Sequence, residues 1–402
     1  MPKPQPQMQP NSPTLDDGHA LQVSKCPKMR VCWHGIAGLI LLLTGLTGCP
    51  HQPRTDLPPS SPFATPLPLP HGTVVGDVDT NSALVWVRTP HAAQVQIRWK
   101  EGGMFSKPTH YSALVTTTPE HDFTVTVPVT GLTPDVLYAY DVLTIPLSAT
   151  PQQNQFTVTG RGQFKTPQAA QTRTHLRFAW SGDLGGQGFC RQAESGYPIF
   201  ETLSRFSPHF FLFLGDTMYA DDKCPSPPNA PGSDFLAITL EDYWAKHRYQ
   251  KESSSLQRFF AQVPVYAVWD DHEVLNNFSG PFEKQMPIGR QAFVDYWPIA
   301  KQSSDPTRLY RTTRWGKDAE FFLLDTRQYR SRNADPDGPK KTMLGEQQLT
   351  WLREGLTASN ATWKFIVTSV PLSNPKGGTT ANPGTDSWSR ATDGTGFGTE
   401  LQ

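Results

Sequence analysis

Hydrophobic patterning singles out one run first. Phe210-Phe211-Leu212-Phe213-Leu214 is apolar at every position, the pattern of a strand buried on both faces of a parallel sheet. Gly215 then permits a sharp turn, and Asp216 stands where that strand emerges. The arrangement occurs twice more. Upstream, a β-forming run over 176–181 enters Gly182-Asp183-Leu184-Gly185-Gly186; downstream, a run over 263–269 enters Asp270-Asp271-His272-Glu273. Between the first two runs, Ile199, Phe200, Leu203 and Phe206 recur at helical spacing, and 241–260 reads as helical before the third. A strand over 320–324 ending in Asp325, a helix over 344–356 and a strand over 363–368 continue the alternation. This order of alternating strands and helices predicts a layered α/β domain over 174–402, its sheet covered on both faces.

The stretch 71–167 has a different rhythm. Short β-rich runs at 83–87, 95–99, 123–127 and 137–142, separated by turns, predict an all-β sandwich. Trp86, and Gly131-Leu132-Thr133-Pro134 placed just before Tyr138, resemble a fibronectin type III-like sandwich closed by a tyrosine corner. No chemistry is visible there. The first seventy residues read as targeting rather than fold. Lys28-Met29-Arg30 precedes a short apolar segment that closes on Leu46-Thr47-Gly48-Cys49, which resembles a bacterial lipobox. Residues 1–49 are therefore expected to be a leader and lipoprotein signal peptide, with translation starting at Met1 or Met29. Cys49 would be lipidated, and 50–70 would form a proline-rich, semi-rigid linker. The expectation is an exported lipoprotein held at the membrane by its lipid anchor only, in the periplasm or at the cell surface.

Charge narrows the partners. The 36 basic and 36 acidic residues cancel, so no nucleic-acid surface or polybasic membrane patch is evident, and a phosphate substrate would have to be held by metal. With 38 prolines and 11 tryptophans among 402 residues, the chain suits a loop-rich extracellular protein better than a helical one.

Open α/β sheets place their chemistry at the carboxyl ends of strands. Asp183, Asp216 and the Asp270-Asp271-His272 group would thus share one rim, the ligand inventory of a two-metal hydrolytic centre. Tyr219 could swing a phenol over the same spot, and a ferric ion accepts phenolate. No Gly-x-Ser-x-Gly or P-loop pattern offers a covalent route.

Gly182-Asp183-Leu184-Gly185, Gly215-Asp216-Thr217-Met218-Tyr219 and Asp270-Asp271-His272-Glu273 resemble the first three motifs of calcineurin-like metallophosphoesterases. Gly-Asp-Thr-Met-Tyr-Ala-Asp, Trp269 to Val274 with Asn276-Asn277, and Leu324-Asp325-Thr326-Arg327-Gln328-Tyr329-Arg330 resemble the PhoD-like (alkaline phosphatase D) family more closely. The opening motif is also similar to that of purple acid phosphatases.

The resemblance implies a metallophosphoesterase-type α/β (α+β) catalytic domain behind the fibronectin-like one. It implies two metal ions, iron with calcium (or zinc or manganese), acting on a small phosphate mono- or diester, and the enzyme is expected to be a monomer. Asp216 would bridge the metals, Asp183 and Tyr219 would complete one of them, and Asp271 would take the place of an Asn ligand. His272 would serve the leaving oxygen, with Asn276 or Asn277 as a further ligand or substrate contact. Asp325 and Arg327 read as a structural pair at a strand end.

With Cys49 acylated and Cys26 and Cys32 lost, Cys190 and Cys224 remain, each a few residues beyond a ligand motif. Export predicts a disulfide between them; the rival is a free Cys190 serving iron. The family completes its site with later histidines, and none follows His272, so the domain reads as incomplete at its C-terminus. The alternative function is accordingly a non-catalytic surface lipoprotein or an inactive truncated relic.

Overall fold

The computed structural model describes residues 69–102, 108–147, 156–302, 304–373 and 384–402. The expected leader, Cys49 and nearly all of the linker lie outside the described residues.

Eight strands precede the first helix-bearing segment: β1 (Thr73–Gly76), β2 (Ser82–Arg88), β3 (Ala93–Glu101), β4 (His110–Tyr111), β5 (Val115–Thr116), β6 (Thr124–Thr130), β7 (Leu137–Pro146) and β8 (Thr157–Lys165). The sheet β4-β3-β7-β8, with β5 beside β3, faces β1, β2 and β6. Val75, Val85, Val127 and Val129 from one side meet Ile97, Tyr140, Val142 and Phe164 from the other. Tyr138 Oη accepts a hydrogen bond from Thr133 N at 2.9 Å and so closes the expected corner. Trp86 departs from the sequence reading. Alternation along β2 sends Val85 and Val87 into the sandwich and Trp86 to the opposite face, where it packs on Tyr296 and donates to Asp295 O at 2.7 Å.

The rest is built from β9 (Phe178–Ser181), α1 (Ile199–Phe206), β10 (Phe210–Leu214), α2 (Leu240–Lys251), α3 (Ser254–Phe260), β11 (Val265–Val268), α4 (Met286–Tyr296), β12 (Arg311–Trp315), β13 (Ala319–Leu323), α5 (Gly345–Ala358), β14 (Trp363–Val367) and α6 (Gly398–Leu401). Strands β9, β10 and β11 pair in parallel; β10 and β11 are apolar throughout, whereas β9 lies at the sheet edge with Trp180 and Ser181 exposed. They belong to a six-stranded sheet, β6-β2-β1-β11-β10-β9, into which β1 is joined by a short parallel pairing of Gly76 with Val265. Gly76 is needed there: a Cβ would sit 2.5 Å from Pro298 Cγ and 2.7 Å from Val265 O.

The sheet is covered on both faces, yet only one cover is helical. Phe211, Phe213 and Ala267 pack against α1, α3 and α4, while Phe210, Leu212, Tyr266 and Val268 meet Trp315, Phe321 and Leu323 of the second sheet, β12-β13-β14. Helix α5 then covers the far side of that sheet through Phe322 and Leu352. The expected helix over 241–260 is two helices broken at Ser253, whose extended backbone precedes α3. Helix α4, three turns of mixed polarity with a proline at its start, carries no clear helical period in the sequence. No helix among the described residues is long and apolar enough to cross a membrane.

Lys251, the last residue of α2, ends in this core without a hydrogen-bond partner among the described residues. Its Nζ lies 3.8 Å from the Trp297 ring centre and 4.6 Å from that of Trp86. Burial holds its pKa well below the ordinary lysine value. The unfolded chain therefore binds the proton more readily, and stability rises with pH up to about 10.5, where the unfolded lysine also loses its charge. Lys251→Met should raise stability at pH 7 by about 2 kcal/mol and flatten its rise towards alkaline pH. Thermal unfolding from pH 6 to 10 checks this, and a less stable Met variant at neutral pH would show that the amine is satisfied in place.

Candidate metal centre

Three loops leave β9, β10 and β11 at one edge, and each delivers an acid. Gly215 makes the turn after β10 possible: its φ is +92°, and a Cβ would lie 2.5 Å from Asp270 Cβ. Asp216 and Asp183, the first acids beyond their strands, both hold left-handed backbone (φ +51° and +56°), a conformation that persists where surrounding bonds enforce it. Those bonds are present. Asp183 N donates to Gly215 O at 3.2 Å and Leu184 N to Asp216 O at 2.8 Å, stitching the first loop to the second.

The second and third loops are joined by Glu273. Its fully buried carboxylate accepts from Asp216 N (3.2 Å), Thr217 N (2.6 Å), Thr217 Oγ1 (2.7 Å) and Asp270 N (2.8 Å). Each donor satisfies a lone pair that burial would otherwise leave empty. Sequence reading gave Glu273 no role, although it stood inside the Asp-Asp-His-Glu motif.

On this frame, ligand atoms of Asp216, Asp271 and His272 all lie within 4.8 Å of one another. His272 N also donates to Asp216 Oδ1 at 3.2 Å. Asp183 joins through Tyr219, whose hydroxyl donates to Asp183 Oδ1 at 3.1 Å and whose ring stacks on His272 with centres 4.2 Å apart. Asn277 N holds Asp271 Oδ2 at 2.6 Å, so Asn277 touches the cluster through its backbone. Asn276 N donates instead to Asp221 Oδ2 at 2.7 Å. The sequence reading assigned no role to Asp221, although it ends the Gly-Asp-Thr-Met-Tyr-Ala-Asp run. Its Oδ1 is 2.7 Å from His272 Nδ1, which leaves Nε2 for other partners.

Arg327 corrects the expected pairing with Asp325. Its buried guanidinium turns to Asp270 (Nε to Oδ1, 2.7 Å), Asp271 (3.4 Å) and Asp386 (3.0 and 2.9 Å), and Arg330 also pairs with Asp386. Asp325 is occupied elsewhere, by Trp269 Nε1 at 2.8 Å and by backbone amides of the same turn. Two adjacent acids are thereby given different surroundings. Asp270 faces Arg327 and Ser369 Oγ (2.7 Å), while Asp271 faces Asp216 and His272.

The electrostatics ask for a cation. Burial, and then the charges of Asp270, Asp271, Glu273 and Asp183, push the Asp216 carboxyl up to about 11. The Tyr219 phenol is likewise raised, by burial and then by Asp216 and Asp183. Burial also works to raise Asp271, but the Arg327 and His272 charges outweigh it and hold that carboxyl low. Carboxylate, phenol and imidazole donors form a set that hard or borderline cations accept, and a bound cation would remove the repulsion that raises Asp216. The residues present therefore fit a metal centre.

Cys190 and Cys224 form a disulfide with Cα atoms 5.8 Å apart, tying the loop after β9 to the loop after β10. Cys190 is therefore not free to serve a metal.

Burial opposes protonation of His272, but the Asp221 hydrogen bond and then the Asp271 charge outweigh it, so its pKa is raised above 6.5. That pairing contributes stability fully present below about 6.5 and lost as pH rises through the raised folded value. Asp221→Asn should lower the His272 pKa. Imidazole carbon chemical shifts followed against pH in metal-free protein read this directly, and an unshifted titration would deny the pairing any electrostatic part.

The family model for PhoD-like phosphatase matches residues 178–398, and the model for the PhoD-like phosphatase N-terminal domain matches residues 56–168. Alkaline phosphatase D of Bacillus subtilis (strain 168) is 26% identical over 376 residues, covering 82% of this chain and 60% of that protein. Human tartrate-resistant acid phosphatase type 5 is 24% identical over 213 residues, 49% of this chain and 56% of that one. Among solved structures, one of PhoD superposes with a TM-score of 0.65 at 26% identity, covering 83% of this chain and 68% of that chain. A purple acid phosphatase from yellow lupin seeds gives a TM-score of 0.50 at 13% identity over 73% of this chain and 50% of that one, a likeness of fold alone. The chain thus spans about 60% of the length of the first of these relatives.

Proposed function

Because the chain belongs to the PhoD-like phosphatase family, we propose that it is an exported metal-dependent phosphoric-ester hydrolase acting on phosphate mono- or diesters. The observation that carries this reading is the convergence of Asp216, Asp271 and His272, with Asp183 linked through Tyr219, at adjoining strand ends. In this reading, Asp183, Asp216, Tyr219 and Asp271 hold two cations, iron with calcium or else zinc or manganese. When bound, such cations polarise the phosphoryl group and make water acidic enough to attack near neutral pH.

The chain's own residues do the rest. Arg327 and Asn277 N fix Asp271, and Glu273 fixes the backbone that carries Asp216. Asp221 holds Nδ1 of His272, so that the protonated ring offers Nε2–H to the departing ester oxygen. In the hydrolysis, the oxygen of water bonds to phosphorus and the P–O bond to the alcohol breaks. The alcohol leaves with the proton from His272, and the proton released by water restores the ring. No covalent enzyme intermediate is required.

The test is turnover of p-nitrophenyl phosphate and bis(p-nitrophenyl) phosphate by protein loaded with iron and calcium. Turnover should fall by about 10³-fold in Asp216→Ala. Metal-dependent turnover that survives the substitution would remove Asp216 from the site.

Export is proposed through lipid attachment at Cys49, with 50–70 as the tether and the body a monomer beyond it. It is supported by the charged flank, short apolar segment and small residues before Cys49. A thioether-linked diacylglycerol plus a further acyl chain gives stable anchoring. Labelled palmitate should enter the wild-type protein and be lost from Cys49→Ala; release of unlabelled wild-type protein would end this reading.

A further inference from the structure

A cleft of about 270 Å³ opens beside the carboxylate cluster, and nothing in the mechanism above uses it. Its inner wall is the segment from Asn276 to Phe278, the same backbone whose amides hold Asp221 and Asp271. A ligand in the cleft would therefore lie one backbone segment away from Asp221 and Asp271. Asn277 sits in left-handed backbone (φ +58°), and Asn333 Nδ2 donates to its carbonyl at 3.0 Å. Asn333 is itself held by Arg330 at 3.1 Å, so the wall is braced by the buried network around Asp386. The half-buried Asn276 and Asn277 offer amides that can both donate and accept.

The cleft also carries a cation. Arg332 lays its guanidinium 4.1 Å from the ring centre of Phe282, a phenyl left 51% exposed. Both residues line the cleft, and stacking orients the planar group without neutralising it. No carboxylate within ion-pair distance of Arg332 is found among the described residues, whereas Arg327 and Arg330 are committed to Asp386. Glu283 also lines the cleft, and its Oε1 accepts from Gln285 N at 3.1 Å. Among the residues that line the cleft, Arg332 is the one cation an entering anionic group could meet.

We propose that this cleft receives the alcohol portion of the ester, and that Arg332, stacked on Phe282, selects esters whose alcohol carries a second anionic group. The inference rests on the phosphoesterase reading and adds a substrate class to it. Asn276 and Asn277 meet polar atoms near the ester oxygen, and the guanidinium binds a carboxylate or phosphate further out by charge-assisted hydrogen bonds. The contact is made in substrate and transition state alike, so it acts chiefly through KM.

The probes are phenyl phosphate and 4-carboxyphenyl phosphate, assayed by phosphate release with metal-loaded full-length protein. Their intrinsic reactivities cancel when the kcat/KM ratio is compared between variants. Arg332→Gln should lower the ratio of carboxylated to plain ester by about tenfold, and Arg332→Lys should recover part of it. Raised ionic strength should shrink the ratio in wild type and leave it flat in Arg332→Gln. Turnover of both esters with a ratio unchanged by Arg332→Gln would overturn the subsite and leave the activity standing. Turnover of neither ester would overturn the activity and the subsite together.

Discussion

The carboxylate of Glu273 is the interaction on which the rim depends. Strands β10 and β11 end side by side, but nothing in strand pairing fixes the loops that follow. Glu273 fixes them by accepting from the backbone of Asp216, Thr217 and Asp270 and from the Thr217 hydroxyl. A carboxylate with no exposure keeps its place only if its lone pairs are filled, and here four donors from two loops fill them. Removing the acid would leave those buried N–H groups unpaired, a cost of about 1–3 kcal/mol for each group. Neutral Gln in its place would keep the shape but turn one acceptor into a donor facing donors.

This frame solves the geometry of the site and worsens its electrostatics. Asp216, Asp270, Asp271 and Glu273 crowd one rim with the exposed Asp183 at its edge, and burial deprives the first four of solvent screening. Arg327 relieves one side only, by taking Asp270 and approaching Asp271. Asp386 then returns a negative charge to Arg327, and Arg330 answers it. The alternation of charge runs inward from the rim and stops at Asp216, which has no cationic partner among the described residues and whose carboxyl is pushed furthest up. The shortage of positive charge is local to the position where the ligand atoms of Asp216, Asp271 and His272 converge.

The parts of this arrangement visible in the sequence were those set by short-range rules. β-forming runs ended by Gly-Asp or Asp-Asp marked β9, β10 and β11 and the acids beyond them, and the two central strands, β10 and β11, are apolar because both their faces are buried. Cys190 and Cys224 could be paired because each follows one of those loops. What stayed hidden depends on distant partners. Asp386 lies 59 residues beyond Arg327, and no local pattern distinguishes a guanidinium bound to it from one bound to Asp325 two residues away. Trp86 carried the resemblance to a fibronectin-like sandwich, yet alternation gives a strand two faces without saying which core each one enters. The second sheet stayed hidden as a separate layer, since 311–315, with its arginines and threonines, carries too little apolar signal to announce β12.

Left-handed backbone at Asp183, Asp216 and Asn277 adds a last constraint. Such conformations cost about 1–3 kcal/mol each and persist only when neighbouring bonds enforce them. At Asp183 and Asp216 the enforcing bonds run between the first two loops, which the Cys190–Cys224 bridge also ties together. At Asn277 they run outward, to Asp271 through its amide and to Asn333 through its carbonyl. The same residue thus holds an acid of the rim with one backbone group and the wall of the neighbouring cleft with the other. A change in the cleft wall is therefore transmitted to Asp271 by two bonds, without passing through the core. Chemistry at the rim and recognition beside it share one strained peptide segment, and the geometry of each limits the other.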